Sequence, residues 1–516
     1  MFQAILASIP ITAKLLDKRQ GRSCSSVPAP TVEGATVVSI SGQERNGSST
    51  GDFPVFPRQS AGGSLANEVC EVNVILTHEG ANDTVRIAIW LPLSGWNGKF
   101  QGTGGGGLIA GEFDSALAPA VQLGYAAGST DAGLPSNSFD GTEWAGNEQL
   151  LKNFAHLSIH EMSVVGKQVA ESFYSSPVEY SYWNGCSTGG RQGYMEAQRY
   201  PEDYDGILAI APAINFNKMA VASAWPYAVM KEEGEFPQTC VWDAMVQAAI
   251  DQCDMDDGGD DDLISDPPTC DFNPFLIVGQ NMSNCSITER HATIARKIID
   301  GPVDASGDRL WYGLEPGTTF TGLATTTVFS ISDGWIRNWV RPGYNTSNLN
   351  YDNFPGLFQQ AVDKFDDLIG TSNPDLSGFA ERGGKLLTWH GWADQLIFPQ
   401  GTSDYRQRVQ DTMGDGVDGF YRLFFAPGVQ HCSGGNGPVP IDPLADLVAW
   451  VEQGQAPETL AAMSGSGSMA GNPSGNPSSG AGNGSQISRD LCLWPESLIF
   501  SGSGDVNAAS TWTCAP

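Results

Sequence analysis

One serine in the chain lies in a pattern that is typical of a catalytic nucleophile. Gly185, Ser187 and Gly189 fit the motif G-x-S-x-G, in which a strand turns sharply into a helix and presents the serine hydroxyl. Glycine on both sides of the serine removes the Cβ atoms that would collide within so tight a turn. The flanking residues agree with this geometry, because 178–183 predict an aromatic strand and 191–200 predict a helix.

A serine hydroxyl is a poor nucleophile at its ordinary pKa, so it requires a base, and the base requires an acid that fixes its tautomer. Of six histidines, only His390 and His431 follow the central part of the chain. Asp394 and His431 each come shortly after a predicted core strand, which places them with Ser187 at the edge where parallel sheets build their sites. We therefore predict Ser187, Asp394 and His431 as catalytic residues, and His390 as a packing residue.

A glycine-rich stretch (102–107) offers backbone donors for the oxyanion of such a reaction. It follows a predicted strand and contains four consecutive glycines, which let a backbone N–H approach a ligand closely. We predict that the N–H groups of Thr188 and Gly105 form the oxyanion hole. The alternative is that the glycines form only a flexible turn.

Length, alternation of elements and composition predict the architecture. A chain of 516 residues exceeds what one hydrophobic core usually organises. Strands alternate with helices on both flanks but not in the centre. We therefore predict an α/β protein with the α/β-hydrolase fold and a large inserted lid domain. The predicted catalytic domain comprises 20–215 and 381–516, and the predicted lid comprises 216–380. Residues 464–485 form a flexible Gly/Ser-rich tract within the second catalytic part.

Charge and cysteine content restrict the partners and the compartment. The net charge of −31 disfavours nucleic acid and anionic membranes as partners, and no run reaches the roughly 18 apolar residues of a membrane span. Ten cysteines, an even number, together with several Asn-x-Ser/Thr sequons, predict secretion and glycosylation. Residues 1–16 form an atypical signal peptide, because they lack a basic region and Lys14 interrupts the apolar stretch.

Two cysteines adjoin the predicted catalytic residues. Cys186 directly precedes Ser187, and Cys432 directly follows His431. If the three catalytic residues converge, these two cysteines come within bridging distance, and a disulfide would hold nucleophile and base together. The alternative is a pair of free buried thiols.

An aspartate-dense run in the predicted lid (253–264) has two interpretations. Because so many carboxylates repel one another, the run is either extended in solvent or wrapped round a hard cation. Its glycines permit a tight loop whose ends Cys253 and Cys270 can join, which favours calcium. The run is not an EF-hand, since the closing bidentate glutamate is missing.

Several of these stretches together resemble the fungal and bacterial tannase/feruloyl esterase family. The matching stretches are 102–107, 185–192 (GCSTGGRQ), 199–206 (RYPEDYDG), 390–394 (HGWAD), 431–432 (HC) and 492–514. The resemblance implies that Ser187 is the nucleophile, that Asp394 and His431 are its partners, and that a Cys186–Cys432 disulfide links them. It also implies hydrolysis of galloyl, feruloyl or coumaroyl esters.

The same resemblance implies a structural calcium ion in the lid and no organic cofactor. Carried over residue by residue, its ligands are the side chains of Asp254, Asp257 and Asp261 and the carbonyls of Gly259 and Leu263. Asp256, Asp260 or Asp262 are substitutes, because this run is more acidic than the family's. The remaining disulfides are assigned by position and, for the last, by elimination: Cys24–Cys70, Cys253–Cys270, Cys492–Cys514 and Cys240–Cys285.

Other functions remain open on the sequence alone. An esterase of the same fold acting on other aromatic esters, such as terephthalate monoesters, differs only in lid contacts, and a binding protein without turnover is a further alternative. A homodimer is also open. Two sets of side chains have both a functional and a packing interpretation: the pair His156 and His160, as a metal pair, and the lid aromatics Trp311, Tyr312, Trp335 and Trp339, as a platform for the acyl ring.

Overall fold

The computed structural model describes residues 22–45, 68–135, 140–282, 284–464 and 486–516. The predicted leader (1–16) and all but the first residue of the predicted flexible tract (464–485) lie outside the described residues. Within the described part, no helix has both the length and the apolar character needed to cross a membrane.

Sixteen strands occur in the described residues. In chain order they are β1 (Ala35–Arg45), β2 (Val69–His78), β3 (Val85–Pro92), β4 (Lys99–Thr103), β5 (Ala126–Thr130), β6 (Tyr180–Cys186), β7 (Gly206–Ile210), β8 (Asn281–Met282), β9 (Cys285–Ser286), β10 (Lys385–Gly391), β11 (Tyr421–Ala426), β12 (Val439–Pro440), β13 (Thr459–Met463), β14 (Ser488–Cys492), β15 (Ser497–Phe500) and β16 (Trp512–Ala515).

Thirteen α-helices complete the regular structure of the described residues. They are α1 (Asp114–Gln122), α2 (Glu148–Lys152), α3 (Ser158–Tyr174), α4 (Thr188–Arg199), α5 (Phe216–Ala222), α6 (Trp225–Glu232), α7 (Thr239–Cys253), α8 (Glu289–Asp300), α9 (Ser330–Trp335), α10 (Phe354–Phe365), α11 (Ser377–Glu381), α12 (Gln400–Met413) and α13 (Pro443–Gln453). A π-helical turn, Asn153–Leu157, joins α2 to α3.

A nine-stranded sheet organises the catalytic part in the order β1-β2-β3-β5-β4-β6-β7-β10-β11. Six neighbouring strands of this sheet run parallel to one another: β5, β4, β6, β7, β10 and β11. The other three, β1, β2 and β3, pair antiparallel at one edge. Because parallel strands end at the same edge of a sheet, the residues that follow β6, β10 and β11 gather there. Those are the segments in which Ser187, Asp394 and His431 lie.

Helices cover both faces of the sheet, as the near-continuous burial of its parallel strands requires. Alternate strand residues point to opposite faces. One face packs against α1 and α13 through residues such as Trp90 and Leu387. The opposite face packs against α3, α4 and α12 through residues such as Ile89 and Leu386. The catalytic part is therefore a three-layer α/β structure.

A separate apolar cluster forms between β7 and β10, where the chain leaves the large sheet and returns to it. Its members come mostly from α5 to α10, and it also includes Leu108, Trp144 and Phe154 from the catalytic part. In the described residues of this segment the only strands are the short ribbon of β8 and β9. The predicted lid interval (216–380) falls within this connection.

The strand predicted for 178–183 is present as β6, although it extends to Cys186. The helix predicted for 191–200 begins at Thr188, immediately after the serine. The segment after Cys24 contains an eleven-residue edge strand, β1, that pairs along the full length of β2. Its weak apolar pattern follows from its edge position, where most of its residues remain partly exposed.

All ten cysteines are paired, and the five pairs are those that the sequence analysis assigns. They are Cys24–Cys70, Cys186–Cys432, Cys240–Cys285, Cys253–Cys270 and Cys492–Cys514. The alternative of free buried thiols at Cys186 and Cys432 is therefore wrong.

Candidate active site

Ser187 lies on a strained turn between β6 and α4. Its backbone has φ 62° and ψ −121°, a conformation that residues with a side chain rarely adopt. The turn is so tight that a Cβ on Gly185 would lie 2.6 Å from the backbone of Gly189. Ser187 is only 8% exposed. This geometry holds the serine side chain at the carboxyl edge of the sheet, as the G-x-S-x-G pattern predicts.

Asp394 and His431 form a buried hydrogen-bonded pair. The Nδ1 atom of His431 lies 2.7 Å from Oδ2 of Asp394, and the other carboxylate oxygen accepts the N–H groups of Leu396 and Ile397 at 2.8 and 2.9 Å. Burial alone would raise the pKa of Asp394, but the charge of His431 and the hydrogen bonds from His390 and His431 hold it below its ordinary value. Asp394 is therefore ionised and fixes the orientation of the His431 ring.

His390 has a more specific position than the predicted packing role. Its side chain is fully buried, with Nε2 2.9 Å from Oδ2 of Asp394 and Nδ1 3.0 Å from the hydroxyl of Thr402. The same carboxylate oxygen therefore lies within hydrogen-bond distance of two imidazole rings. Sequence reasoning missed this contact, although the spacing of His390 and Asp394 across one strand end was a usable signal.

The disulfide between Cys186 and Cys432 joins the serine turn to the histidine loop. The Cα atoms of the two cysteines are 6.0 Å apart, although 246 positions separate them in sequence. Cys186 is the last residue of β6 and Cys432 immediately follows His431. The bridge therefore covalently connects the segment that carries Ser187 with the segment that carries His431.

The glycine stretch packs directly against the serine turn, but the N–H of Gly105 is not available to a substrate. It donates to Oε1 of Gln192 at 3.0 Å, while the Gly105 carbonyl accepts the N–H of Gly189 at 2.9 Å. The N–H predicted to bind the oxyanion therefore already has an acceptor within the protein. A buried amide satisfies this donor because an unpaired buried N–H is costly.

Gln192 is the residue that sequence reasoning missed in this loop. Its amide accepts from Gly105 and donates to the carbonyl of Ala110 at 2.9 Å, so it ties the glycine stretch and the residues after it to α4. The next residue, Gly106, has no acceptor for its N–H among the described residues. Thr188 stands at the first position of α4, where an N–H has no acceptor within the helix.

The aspartate-dense run of the lid folds into a tight loop. Oδ1 of Asp254 accepts the N–H of Leu263 at 3.1 Å, and Oδ1 of Asp257 accepts the N–H of Gly259 at 2.8 Å. The Oδ2 atom of Asp257 is buried and has no hydrogen-bond donor among the described residues. Asp261 pairs with the guanidinium of Arg489, and both side chains are almost fully buried.

Electrostatics in this loop favour a cation. Burial raises the pKa of Asp254 to about 6, and it also raises the pKa values of Asp257 and Asp261, with neighbouring carboxylates adding to each shift. Arg489 compensates part of this charge. Asp256, Asp260 and Asp262, the predicted substitutes, are exposed.

The loop supplies the oxygen donors that calcium prefers, but its acidic side chains are not clustered as they are in a formed metal site. Among the described residues, no group of three or more His, Cys, Asp or Glu side chains is arranged to hold a metal ion. An oxygen cage built from Asp254, Asp257 and Asp261 would depend on backbone carbonyls as well, and the donor-free oxygen of Asp257 gives such a cage a ligand. The loop fits a hard cation on charge and oxygen donors.

The remaining candidate residues have structural partners. His156 contacts the hydroxyl of Tyr200 at 2.7 Å, and burial lowers its pKa to about 3. His160 pairs with Asp203 at 2.6 Å, so these two histidines do not form a metal pair. The lid tryptophans Trp311, Trp335 and Trp339 are buried in the lid core, which gives them the packing role.

The fold and site define the class of protein. A parallel sheet, a serine on a strained strand-to-helix turn and a buried Asp–His pair that follows later strands together define an α/β-hydrolase. A solved structure of feruloyl esterase B from Aspergillus oryzae superposes with a TM-score of 0.81 at 26% identity, covering 94% of this chain and 97% of that one. Tannin acyl hydrolase from Aspergillus niger superposes with a TM-score of 0.81 at 25% identity, covering 96% and 94%.

Sequence comparison gives the family. The family model described as tannase and feruloyl esterase matches residues 70–515. A probable feruloyl esterase of Arthroderma benhamiae is 42% identical over 99% of this chain and 96% of its own length. Feruloyl esterase B of Aspergillus niger is 31% identical over 82% of each chain. The chain belongs to the tannase and feruloyl esterase family and is a carboxylic ester hydrolase.

Proposed function

We propose that the chain hydrolyses esters of plant phenolic acids through Ser187, His431 and Asp394. The observation that carries this proposal is the buried Asp394–His431 pair, which the Cys186–Cys432 disulfide connects to the turn that holds Ser187. The names of the relatives, feruloyl esterases and a tannin acyl hydrolase, support phenolic esters as the substrate class.

In the proposed reaction, Nε2 of His431 takes the proton of the Ser187 hydroxyl as its oxygen attacks the ester carbonyl. Nδ1 donates to Asp394, which fixes the tautomer and stabilises the imidazolium that forms. The imidazolium then protonates the leaving alcohol as the C–O bond breaks, which leaves an acyl-enzyme. Water, deprotonated by His431, attacks the acyl carbonyl, and Ser187 recovers its proton as the acid leaves.

The oxyanion needs two donors near the serine, and we propose the N–H groups of Thr188 and Gly106. Thr188 follows the nucleophile, and its N–H has no acceptor within α4. Gly106 replaces Gly105 in this role, because Gln192 already accepts the Gly105 N–H. One such donor typically contributes about 3 to 4 kcal/mol of transition-state stabilisation.

We further propose that the protein is secreted and that the lid loop binds a structural calcium ion through Asp254, Asp257 and Asp261 with the carbonyls of Gly259 and Leu263. Five disulfides support an oxidising compartment. Recovery of the protein from culture medium, followed by amino-terminal sequencing, tests secretion. The homodimer remains a prediction, which the molar mass measured by light scattering tests.

Covalent labelling tests the nucleophile. An aryl phosphonate or sulfonyl fluoride should inactivate ester hydrolysis and add its mass to the peptide that contains Ser187, because only an activated serine attacks such reagents quickly. Ser187→Ala should lower kcat for methyl ferulate by at least about a thousandfold and abolish labelling. The matched control is Ser223→Ala, another buried serine, which should keep both activity and labelling. Labelling of a different residue contradicts the assignment.

A panel of small esters tests the substrate class. Methyl ferulate, methyl gallate and a terephthalate monoester should be compared by kcat/KM with the same enzyme preparation. We expect methyl ferulate to be hydrolysed fastest, since the relatives with the higher identities are feruloyl esterases. If the terephthalate ester is hydrolysed fastest, the proposal of phenolic acid esters is wrong and the alternative of other aromatic esters replaces it.

Substitution of His390 tests how Asp394 is positioned. His390→Phe keeps a flat ring beside Phe425 but removes both ring nitrogens, so Asp394 loses one of its hydrogen-bond donors. We expect kcat to fall about tenfold to a hundredfold. We also expect the pKa of Asp394 to rise, because His390 supplies one of the hydrogen bonds that hold it low, so the acidic limb of kcat/KM should move to higher pH.

The control for this prediction is Thr402→Ser, which retains the hydroxyl that contacts Nδ1 of His390 and should leave the pH profile unchanged. A His390→Phe enzyme with reduced activity but an unchanged pH profile would mean that His390 acts through packing alone.

Chelation tests the calcium ion. A chelator should lower the Tm by several degrees and added calcium should restore it, because an ion that binds only the folded state stabilises that state. Asp257→Asn should lower the Tm and remove the response to calcium, whereas Asp256→Asn, an exposed neighbour, should keep it. An unchanged Tm on chelation would show that Arg489 alone compensates the buried carboxylates.

A further inference from the structure

A cavity of about 410 Å³ lies where the lid meets the catalytic part. Its walls come from the lid near residues 265–268 and 309–312, from the side of α12, and from the carboxy-terminal segment 492–498. None of Ser187, Asp394 and His431 lines it. Its volume falls within the range of about 300 to 1,000 Å³ that is usual for small-molecule sites, and such sites often form at domain boundaries.

Flat aromatic rings form part of the cavity wall. Trp392, Tyr312 and Trp494 all line it. The ring of Trp392 stacks on Phe425 with centroids 3.8 Å apart and planes 12° apart, so it is buried and held in one orientation. Rigid aromatic faces pack well against flat apolar surfaces such as the C–H face of a sugar ring.

Polar side chains between these rings are held in place by neighbours. The carboxylate of Asp404 accepts the hydroxyl of Tyr312 at 3.3 Å and Nε of Arg408 at 3.0 Å. The amide of Gln400 donates to Glu315 at 3.1 Å, and burial raises the pKa of Glu315 to about 8. The carboxylate of Asp404 and the amide oxygen of Gln400, which line the cavity, retain acceptor capacity for a ligand hydroxyl. The cavity is therefore pre-organised for hydrogen bonding.

The charges of the lining select the class of ligand. Asp266, Asp404 and Glu496 carry carboxylates, of which Asp404 pairs with Arg408, and Arg309 is the only lining side chain with a permanent positive charge among those described. A phosphate or a phenolic carboxylate would meet net negative charge here, and the chain as a whole carries −31. A neutral ligand with many hydroxyl groups avoids this repulsion and uses the carboxylates and amides as acceptors.

We propose that this cavity is a saccharide-binding site, with neutral oligosaccharides as the ligand class. A sugar ring stacks on Trp494, which is half-buried, and its hydroxyl groups hydrogen bond to Asp404, Gln400 and Gln407. Since the site shares no residue with the ester-cleaving triad, it would hold the carbohydrate part of a polymer independently of ester cleavage. The proposal does not require the proposed substrate specificity.

Calorimetric titration of the full chain with unesterified xylotriose and arabinoxylo-oligosaccharides tests the site. We expect saturable binding in the millimolar to micromolar range, accompanied by a change in tryptophan fluorescence. The same titration with ferulate and with inorganic phosphate should give no binding that depends on this cavity. Because none of these probes contains an ester, the result is independent of whether Ser187 is the nucleophile.

Variants locate the binding. Trp494→Ala and Gln407→Ala should each weaken the affinity for the oligosaccharide, Trp494→Ala by at least about tenfold, and should leave kcat/KM for methyl ferulate within about twofold. The matched control is Gln359→Ala. Gln359 and Gln407 are both exposed on helices and each donates to an aspartate four positions later at 2.8 Å, but Gln359 lies outside the cavity.

The outcomes are distinct. Absence of saturable binding by every oligosaccharide overturns the proposal, as does binding that Trp494→Ala and Gln407→Ala both leave unchanged. Cavity-dependent binding of ferulate or phosphate assigns the site to an anion and also overturns it. If Trp494→Ala lowers the Tm, Gln407→Ala decides, since its exposed side chain contributes little to stability.

Discussion

The covalent link between Cys186 and Cys432 is the constraint on which the arrangement of the site depends. Ser187 and His431 follow different strands, β6 and β11, and the long connection from β7 to β10 lies between those strands in the chain. Cross-linking two such distant positions removes much of the freedom of the unfolded chain, worth about 5 kcal/mol in the chain-entropy treatment. Within the native state, the same bridge limits how far the histidine loop can move from the serine turn.

Hydrogen bonding around Asp394 supplies the second level of order. One oxygen of its carboxylate accepts two backbone N–H groups, and the other lies within hydrogen-bond distance of two imidazoles. A buried carboxylate without these partners would be expensive, and its pKa would rise. Because all of these partners are present, Asp394 remains ionised and its orientation is fixed. The backbone N–H groups and His390 therefore fix Asp394, and Asp394 in turn fixes the position of His431.

The position of the glycine loop depends both on the close approach of its backbone to α4 and on one side chain. The loop can approach α4 this closely because Gly104 has no Cβ, since a Cβ there would lie only 2.3 Å from the Cα of Gly189. Gln192 then ties the loop to α4 at two points. The lid is attached in a similar way at its acidic loop, where Arg489 from the carboxy-terminal segment pairs with Asp261. In both places a single long polar side chain connects distant segments.

Sequence by itself determined the local parts: the G-x-S-x-G turn, the order of Ser187, Asp394 and His431 along the chain, and the parallel strands. These follow from short motifs and from hydrophobic periodicity, which act over a few residues. Only the tertiary structure decided that Gln192 occupies the N–H of Gly105, that His390 contacts Asp394 and that a cavity opens between lid and carboxy-terminal segment. The physical reason is that each of these depends on the distance between side chains far apart in sequence, and no local pattern encodes such distances.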